Sequence, residues 1–403
     1  KKVAAEGKAI LEGEHVKKDD FVFAEKEAED LQILSYTSGS VGFSKGVMIP
    51  ERSIHSNIVY GRENMPLRAK DRIVSLLPMA HVFGLAFEFL FPITMGCHTT
   101  FLTKTPSPKV LLKAFGEIKP HLIFFVPLIL EKIYKKQLLP TLSKPVMKVL
   151  MSIPGINSLL HKKIKGKLVD SFGGNFVEVV IGGAALSAEV EQLLRKINFP
   201  FTVGYGMTEC GPLISYAPWD VIRPASAGKL VDRMEVRIDS DEPKRIVGEI
   251  QVKGTNVMLG YYKNDEANRN TFTEDGWMKT GDLGIIDDEN FIYIKGRSKN
   301  MLLGPSGQNI YPEELEARLN NLPYIQECVI VQRNNKLTAL VYPDYDAMKA
   351  HEVDSSSVNE LMEQNRQSYN KQVSSYEQLT KIEVVKEEFE KTPKRNIKRF
   401  LYT

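Results

Sequence analysis

Short apolar runs alternate with polar, glycine-bearing turns along the first half of the chain. Leu31, Ile33 and Leu34 form an apolar strand over 31–36, and Val47, Met48 and Ile49 read as a strand leaving the loop that follows. Ser53 is placed as the N-cap of the next helix. Residues 71–78 read as a buried strand, 85–95 as a long apolar helix, 98–102 as a strand and 109–118 as a helix. A buried strand over 121–126 is closed by Pro127. The pattern resumes with strands over 176–181 and 201–203, separated by a helix over 188–197 that Ser187 caps. Strands alternating with helices predict an α/β fold with a parallel, helix-covered sheet. Residues 1–30 are charged and carry weak helical periodicity.

Residues 128–172 break this rhythm. They are rich in Leu, Ile, Lys and Pro and read as a helical excursion with a basic, amphipathic face. Such a face either keeps a helix solvated or meets a membrane surface or acyl chain. From about residue 225 the strands shorten (236–238, 249–253, 291–295) between turn signals such as Asp275-Gly276 and Asp288-Glu289-Asn290. That texture predicts an antiparallel β subdomain over about 225–298. Gly296-Arg297-Ser298-Lys299-Asn300 reads as the linker to a small α+β unit. The unit has a helix over 312–320, strands over 325–331 and 336–342, a helix over 355–371 and a basic tail.

Composition bounds the function. The 403 residues are 43% hydrophobic and 26% charged, an ordinary globular balance with room for two or three domains. A net charge of +3 implies no strong overall field towards nucleic acid or membrane, so no nucleic-acid partner is expected. The three cysteines, Cys97, Cys210 and Cys328, show neither metal-ligand spacing nor a disulfide framework, which fits a reducing, cytoplasmic compartment. No apolar run reaches the roughly 18 residues of a membrane span. The excursion still leaves room for peripheral contact with the inner face of a membrane. The chain opens in mid-pattern and without Met, as a piece of a larger protein would.

The candidate chemistry sits where apolar strands end, which is where open α/β sheets bind ligands. The run Tyr36-Thr37-Ser38-Gly39-Ser40-Val41-Gly42-Phe43-Ser44-Lys45-Gly46 offers backbone N–H groups, hydroxyls and one cation to an anion. It is not a Walker A loop, and alone it is also a plain polar hairpin turn. His81-Val82-Phe83-Gly84, Gly182-Gly183-Ala184-Ala185 and Gly204-Tyr205-Gly206-Met207-Thr208-Glu209 follow other strands. Tyr205, between glycines, has a face that could stack on a base. Thr208 and Glu209 supply a hydroxyl and a carboxylate suited to Mg2+ or phosphate. Thr280-Gly281-Asp282 places a carboxylate in a glycine-bounded turn, where it could accept from ribose hydroxyls.

Taken in order, Tyr36–Gly46, Tyr205–Glu209, Thr280–Asp282 and Gly296-Arg297, with the basic tail, resemble the adenylate-forming superfamily. The segment 126–134, the basic excursion and Ser171-Phe172-Gly173-Gly174 resemble long-chain fatty acyl-CoA synthetases most. The resemblance implies a large AMP-binding domain over 1–298 and a small mobile domain over 299–403, hinged at Lys299. It implies ATP, Mg2+ and coenzyme A as cofactors and a fatty acid as substrate. By position, Thr37, Ser38, Gly39, Ser40, Gly42 and Lys45 would hold the β- and γ-phosphates, Glu209 would hold Mg2+, and Thr208 would lie beside the phosphates. Gly183, Ala184, Tyr205, Gly206 and Met207 would surround adenine, and Asp282 with Arg297 would take the ribose. His81, Phe83 and Gly204 would line the acyl mouth and Gly307 the pantetheine path.

Three departures from the pattern matter. Val41 and Ser44 replace a hydroxyl residue and a proline in the glycine loop. Asn396 stands where the family carries its adenylation lysine, and an amide supplies no charge to a pentavalent phosphorus. Lys394 and Lys398 would share its face on a strand and are the candidate replacements. The first part of the family's large domain has no counterpart. The resemblance leaves as alternatives a ligase of the same fold for another carboxylate, such as an aryl acid, or for acyl transfer to a carrier protein, and a weakened nucleotide- or acyl-binding relative.

Overall fold

The computed structural model describes residues 25–402 apart from 39–43, 104–105, 135–137, 143, 305–307, 335 and 392–396. Gly39, Ser40, Gly42, Gly307, Lys394 and Asn396 therefore lie outside the described residues, as do residues 1–24.

The hairpin Leu31–Ser38 and Ser44–Pro50 is antiparallel, with Thr37 opposite Lys45, and Gly260–Tyr261 adds a third strand beside Val47 and Met48. The following helix is Glu51–Asn64, with Pro50 at its N-cap. Ser53 is not the cap. It lies within the first turn, fully buried, and its hydroxyl donates to the Asn256 carbonyl at 2.6 Å.

The expected parallel pairings are present. Arg72–Ser75 runs parallel to His98–Phe101, and Leu122–Phe125 pairs with Glu178–Ile181, which pairs with Phe201–Val203. Leu122, Ile123, Phe124 and Phe125 are all buried, which is why this strand reads as continuous apolar sequence rather than as alternation. The expected helix over 85–95 begins at Val82 and takes π geometry over Leu85–Leu90 before closing as Phe91–Thr94. Pro92 has no N–H for the Glu88 carbonyl, so the α ladder is already interrupted there. Helices Pro127–Ile133, Leu139–Leu142, Pro145–Ser152 and Ile156–Ser171 make up the excursion. Ser187 does cap its helix, Ala188–Lys196, by accepting from the Val190 N–H.

A four-stranded antiparallel sheet follows, in the order Met234–Asp239, Gly248–Gly254, Met278–Ile286, Ile292–Arg297. Thr280-Gly281-Asp282 lies inside its third strand, not in a turn. The ladder slips between Glu249 and Gln251, and Gly281 has φ +72°. A bulge at a glycine thus mimics a turn signal.

The last unit packs Pro312–Leu319 and Val358–Asn370 against Ile325–Arg333, Lys336–Pro343 and Leu379–Val384. The final strand, parallel to Lys336–Pro343, and the helix Tyr345–Ala350 were not legible in the pattern. Leu315, Leu319, Ile330, Val341 and Tyr369 belong to a core separate from the one that spans Val47 to Ile292. The fold is therefore α/β with parallel sheets, an antiparallel subdomain and a C-terminal unit with its own core.

Candidate active site

The turn carrying Glu209 is shaped by backbone crowding. Tyr205–Gly206 pairs with Leu213–Tyr216, and a Cβ on Gly206 would lie 2.2 Å from the Pro212 carbonyl oxygen. Only glycine fits. Thr208–Cys210 then forms a single 3-10 turn. Behind it, Asn57 accepts from the Leu213 N–H at 2.9 Å and donates to the Cys210 carbonyl at 3.2 Å. Asn256 donates to the Leu213 carbonyl at 2.7 Å. These buried amides hold both sides of the turn, so Glu209 is placed by a fixed backbone.

Glu209 is 8% exposed, and its Oε1 accepts from the Tyr261 hydroxyl at 2.9 Å. Lys45 Nζ stands 4.6 Å from the centroid of the same ring, a cation–π contact. The three-stranded hairpin sheet makes this meeting by setting Tyr261 opposite Val47. Burial and the Glu209 charge raise the Tyr261 hydroxyl, keeping it protonated as a donor.

A second cluster adjoins the first. Tyr205 is buried, not exposed, and its hydroxyl donates to Asp282 Oδ2 at 2.7 Å. Arg297, directly across the ladder, meets Asp282 Oδ1 at 2.6 Å. Burial raises the Asp282 carboxyl even against the Arg297 charge, and Glu209 contributes in the same direction. Lys299, on the exposed turn after the sheet, is pushed down by desolvation and then by Arg297, with Asp282, Glu313 and Lys45 also felt. Two cations and two carboxylates from the glycine hairpin, the Glu209 turn and the sheet therefore share one electrostatic neighbourhood.

The remaining candidates fall around it. Phe83 packs edge-on to Phe87 and Phe124, and a Cβ on Gly182 would lie 3.2 Å from the Phe83 ring. His81, half-buried, precedes that turn, and Gly204 backs onto Ser215. Gly183 and Ala184 are exposed beyond the strand end, while Met207 and Thr208 are half-buried beside Glu209. Thr37 is half-buried at the hairpin end, where the Ser38 backbone closes the described strand. The tail departs from expectation: Lys398 is not on a strand but opens the turn Arg399–Leu401, and its Nζ meets Glu390 Oε2 at 3.0 Å.

Tyr261, Asn57 and Asn256 were not foreseen. Their partners are distant in sequence, and no local motif marks them. Among the described residues no group of three His, Cys, Asp or Glu could cage a metal. One buried carboxylate beside a hydroxyl and a lysine instead fits an ion such as Mg2+ that arrives with substrate phosphates and keeps most of its ligands from them.

A glycine hairpin, a buried carboxylate turn and an Asp–Arg pair are followed by a separately cored unit, the order that the resemblance to the adenylate-forming superfamily implied. The chain belongs to the AMP-binding enzyme family: residues 2–262 match that family and residues 300–402 match its C-terminal domain. A long-chain-fatty-acid–CoA ligase of Mycobacterium bovis is 29% identical over 327 residues, covering 75% of this chain and 52% of that protein. A probable 4-coumarate–CoA ligase of Dictyostelium discoideum is 30% identical over 314 residues, covering 75% and 51%. The chain thus spans about half the length of these curated relatives. ATP-bound MatB from Rhodopseudomonas palustris has the same fold, with a TM-score of 0.73 at 22% identity over 94% of this chain and 69% of that one. The o-succinylbenzoate CoA synthetase of Bacillus subtilis, solved with its acyl-adenylate, has a TM-score of 0.72 at 23% identity over 94% and 70%.

Proposed function

We propose that this protein activates a long-chain fatty acid with ATP and passes the acyl group to coenzyme A. A carboxylate oxygen attacks the α-phosphorus, the bond to the bridging oxygen breaks and pyrophosphate leaves. The coenzyme A thiol then loses its proton, attacks the acyl carbon and displaces AMP. The observation that carries this reading is the meeting of Lys45, Glu209, Asp282 and Arg297, from four segments, around Tyr205 and Tyr261. Phosphoryl transfer needs mainly positioning and charge control, and that is what such a cluster supplies.

Thr37, Ser38, Gly39, Ser40, Gly42 and Lys45 would hold the departing phosphates. Glu209 would hold Mg2+, which when bound neutralises phosphate charge, and Thr208 would lie beside it. Gly183, Ala184, Gly206 and Met207 would enclose adenine, with Tyr205 as the buried wall. Asp282, held by Arg297, would accept from the ribose hydroxyls. His81, Phe83 and Gly204 would line the acyl entrance, and Gly307 the path of pantetheine. Lys299 would be the hinge between domains over 1–298 and 299–403. The names of relatives in several bacteria and in yeast support the long-chain substrate.

Pyrophosphate exchange into ATP across a panel of acids tests the reading. Exchange driven by long-chain fatty acids is expected, and exchange driven by aryl acids alone would overturn the substrate assignment. A second reading, a nucleotide-binding relative of slow turnover, is favoured by Asn396 and by the engagement of Lys398 with Glu390. Titration with ATP beside an AMP-release assay distinguishes it, since tight binding without AMP would support it. Separate Lys394→Ala and Lys398→Ala variants then show which lysine, if either, serves adenylation.

A further inference from the structure

We propose that the helical hairpin over 145–171 is a docking surface for an anionic lipid membrane. Helices Pro145–Ser152 and Ile156–Ser171 are joined by a tight turn in which Gly155 has φ +86°. Along the first helix and across this turn, Val146 is 70% exposed, Val149 61%, Ile153 39%, Ile156 38% and Leu159 70%. Val146, Val149 and Ile153 recur at helical spacing and so share one face, and Ile156 and Leu159 continue the apolar surface across the turn. The second helix is not loosely attached. Its far half buries Leu168 and packs Ile164 and Val169 against the main core. One helix therefore roots one end in the protein and presents apolar side chains at the other. A contiguous apolar patch rimmed by polar residues marks an interaction surface.

The charge selects the occupant. From Lys132 to Val169 the sequence holds nine lysines and no Asp or Glu, while the whole chain is only +3, so the rest of the chain is net negative. Lys144, Lys162, Lys163 and Lys167 are exposed on the hairpin or at its start. Apolar side chains interleaved with lysines on a short hairpin are what an interfacial helix presents to a leaflet of anionic headgroups. No helix among the described residues is long and apolar enough to cross a membrane, so the contact is with its surface. The weak overall charge hides this local field.

Vesicle flotation without nucleotide, fatty acid or coenzyme A tests the proposal independently of the proposed reaction. The chain should bind vesicles of phosphatidylcholine with 30 mol% phosphatidylserine and lose that binding at high salt. Lys162→Glu with Lys163→Glu should weaken binding at least tenfold, since each lysine near such a surface is worth about fivefold. Val149→Glu with Leu159→Glu should abolish binding at an unchanged melting temperature, because both side chains face solvent. Three results would overturn the proposal. The wild type could fail to bind these vesicles, or both variants could bind as it does. The glutamates could also lower the melting temperature or break a dimer, which would mean that protein covers this face.

Discussion

Replacing Glu88 by glutamine should abolish much of the protein's loss of stability in mild alkali. Glu88 is fully buried, and one carboxylate oxygen accepts from the Leu76 and Leu77 N–H groups at 2.9 and 2.8 Å and from Ser75 at 3.3 Å. The other oxygen is buried with no hydrogen-bond partner among the described residues. Burial pushes the carboxyl up to about 8 against those hydrogen bonds. Because the folded value is raised, the contribution to stability is complete below the unfolded value of 4.5 and is lost as pH rises through about 8. The whole shift corresponds to roughly 5 kcal/mol, of which about 3 kcal/mol falls between pH 6 and pH 9. The carbonyl of a glutamine side chain at this position can accept the same backbone bonds without titrating. The stability of Glu88→Gln relative to wild type should therefore rise by about 3 kcal/mol from pH 6 to pH 9. Glu88→Leu should lose roughly 2–6 kcal/mol at pH 6, since two buried N–H groups lose their acceptor. Chemical unfolding followed by tryptophan fluorescence reads this directly, because Trp219 and Trp277 both lie outside the C-terminal unit. Glu178, pushed up to about 7 by burial, titrates in the same window but cancels in the difference. Parallel pH curves for wild type and Glu88→Gln would refute the reasoning.

Tyr261→Phe keeps the ring under Lys45 but removes the donor to Glu209, so pyrophosphate exchange should need several-fold more Mg2+ with little change in folding. Gly206→Ala should cost most of the activity and several degrees of melting temperature, since its Cβ would sit 2.2 Å from a backbone oxygen. Gly183→Ala meets nothing closer than 3.8 Å and should cost only the φ +87° strain, about 1 kcal/mol. Arg399→Met strips the partner from buried Glu316, which Arg399 holds through both oxygens, and should cost about 3–5 kcal/mol. Glu316 is already pushed up to about 7 by burial, so the loss should be larger at pH 8 than at pH 5. Hydrogen exchange of Pro312–Leu319 measures it, and Glu316→Leu on that background should restore part.

What was legible in the sequence is what is local. Parallel strands buried on both faces announce themselves as apolar runs, and Ser187 announces its cap, because each signal lies within a few residues of its cause. Misreadings arose where a distant partner decides. Ser53 looks like an N-cap until Asn256, 203 residues away, takes its hydroxyl into the core. Tyr205 between glycines looks open until Asp282, 77 residues on, claims its hydroxyl. Gly281 signals a turn because a bulge and a turn both demand positive φ, and only the ladder with Glu249 tells them apart. Tyr261 was invisible for the same reason, its partner Glu209 being 52 residues away.

The same distinction bears on the glycine loop and on the tail. Lys45 is secured by register: Thr37 lies opposite it, and Val47, two residues on along the same strand face, sets Tyr261 beneath its ammonium. Its position is a property of the sheet, independent of the C-terminal unit. The described tail cations, Lys391, Lys398 and Arg399, show no such anchor to the large core. Lys391 meets Glu327, Lys398 meets Glu390 and Arg399 meets Glu316, so every described contact of these residues is to their own unit. On the proposed reading, a cation from the tail would reach phosphates at the hairpin only by carrying that unit with it, whereas Lys45 is held by the sheet itself. If adenylation depends on Lys45 alone, Lys45→Met should abolish exchange while Lys394→Ala and Lys398→Ala leave it intact. If the tail contributes, the loss should divide between them.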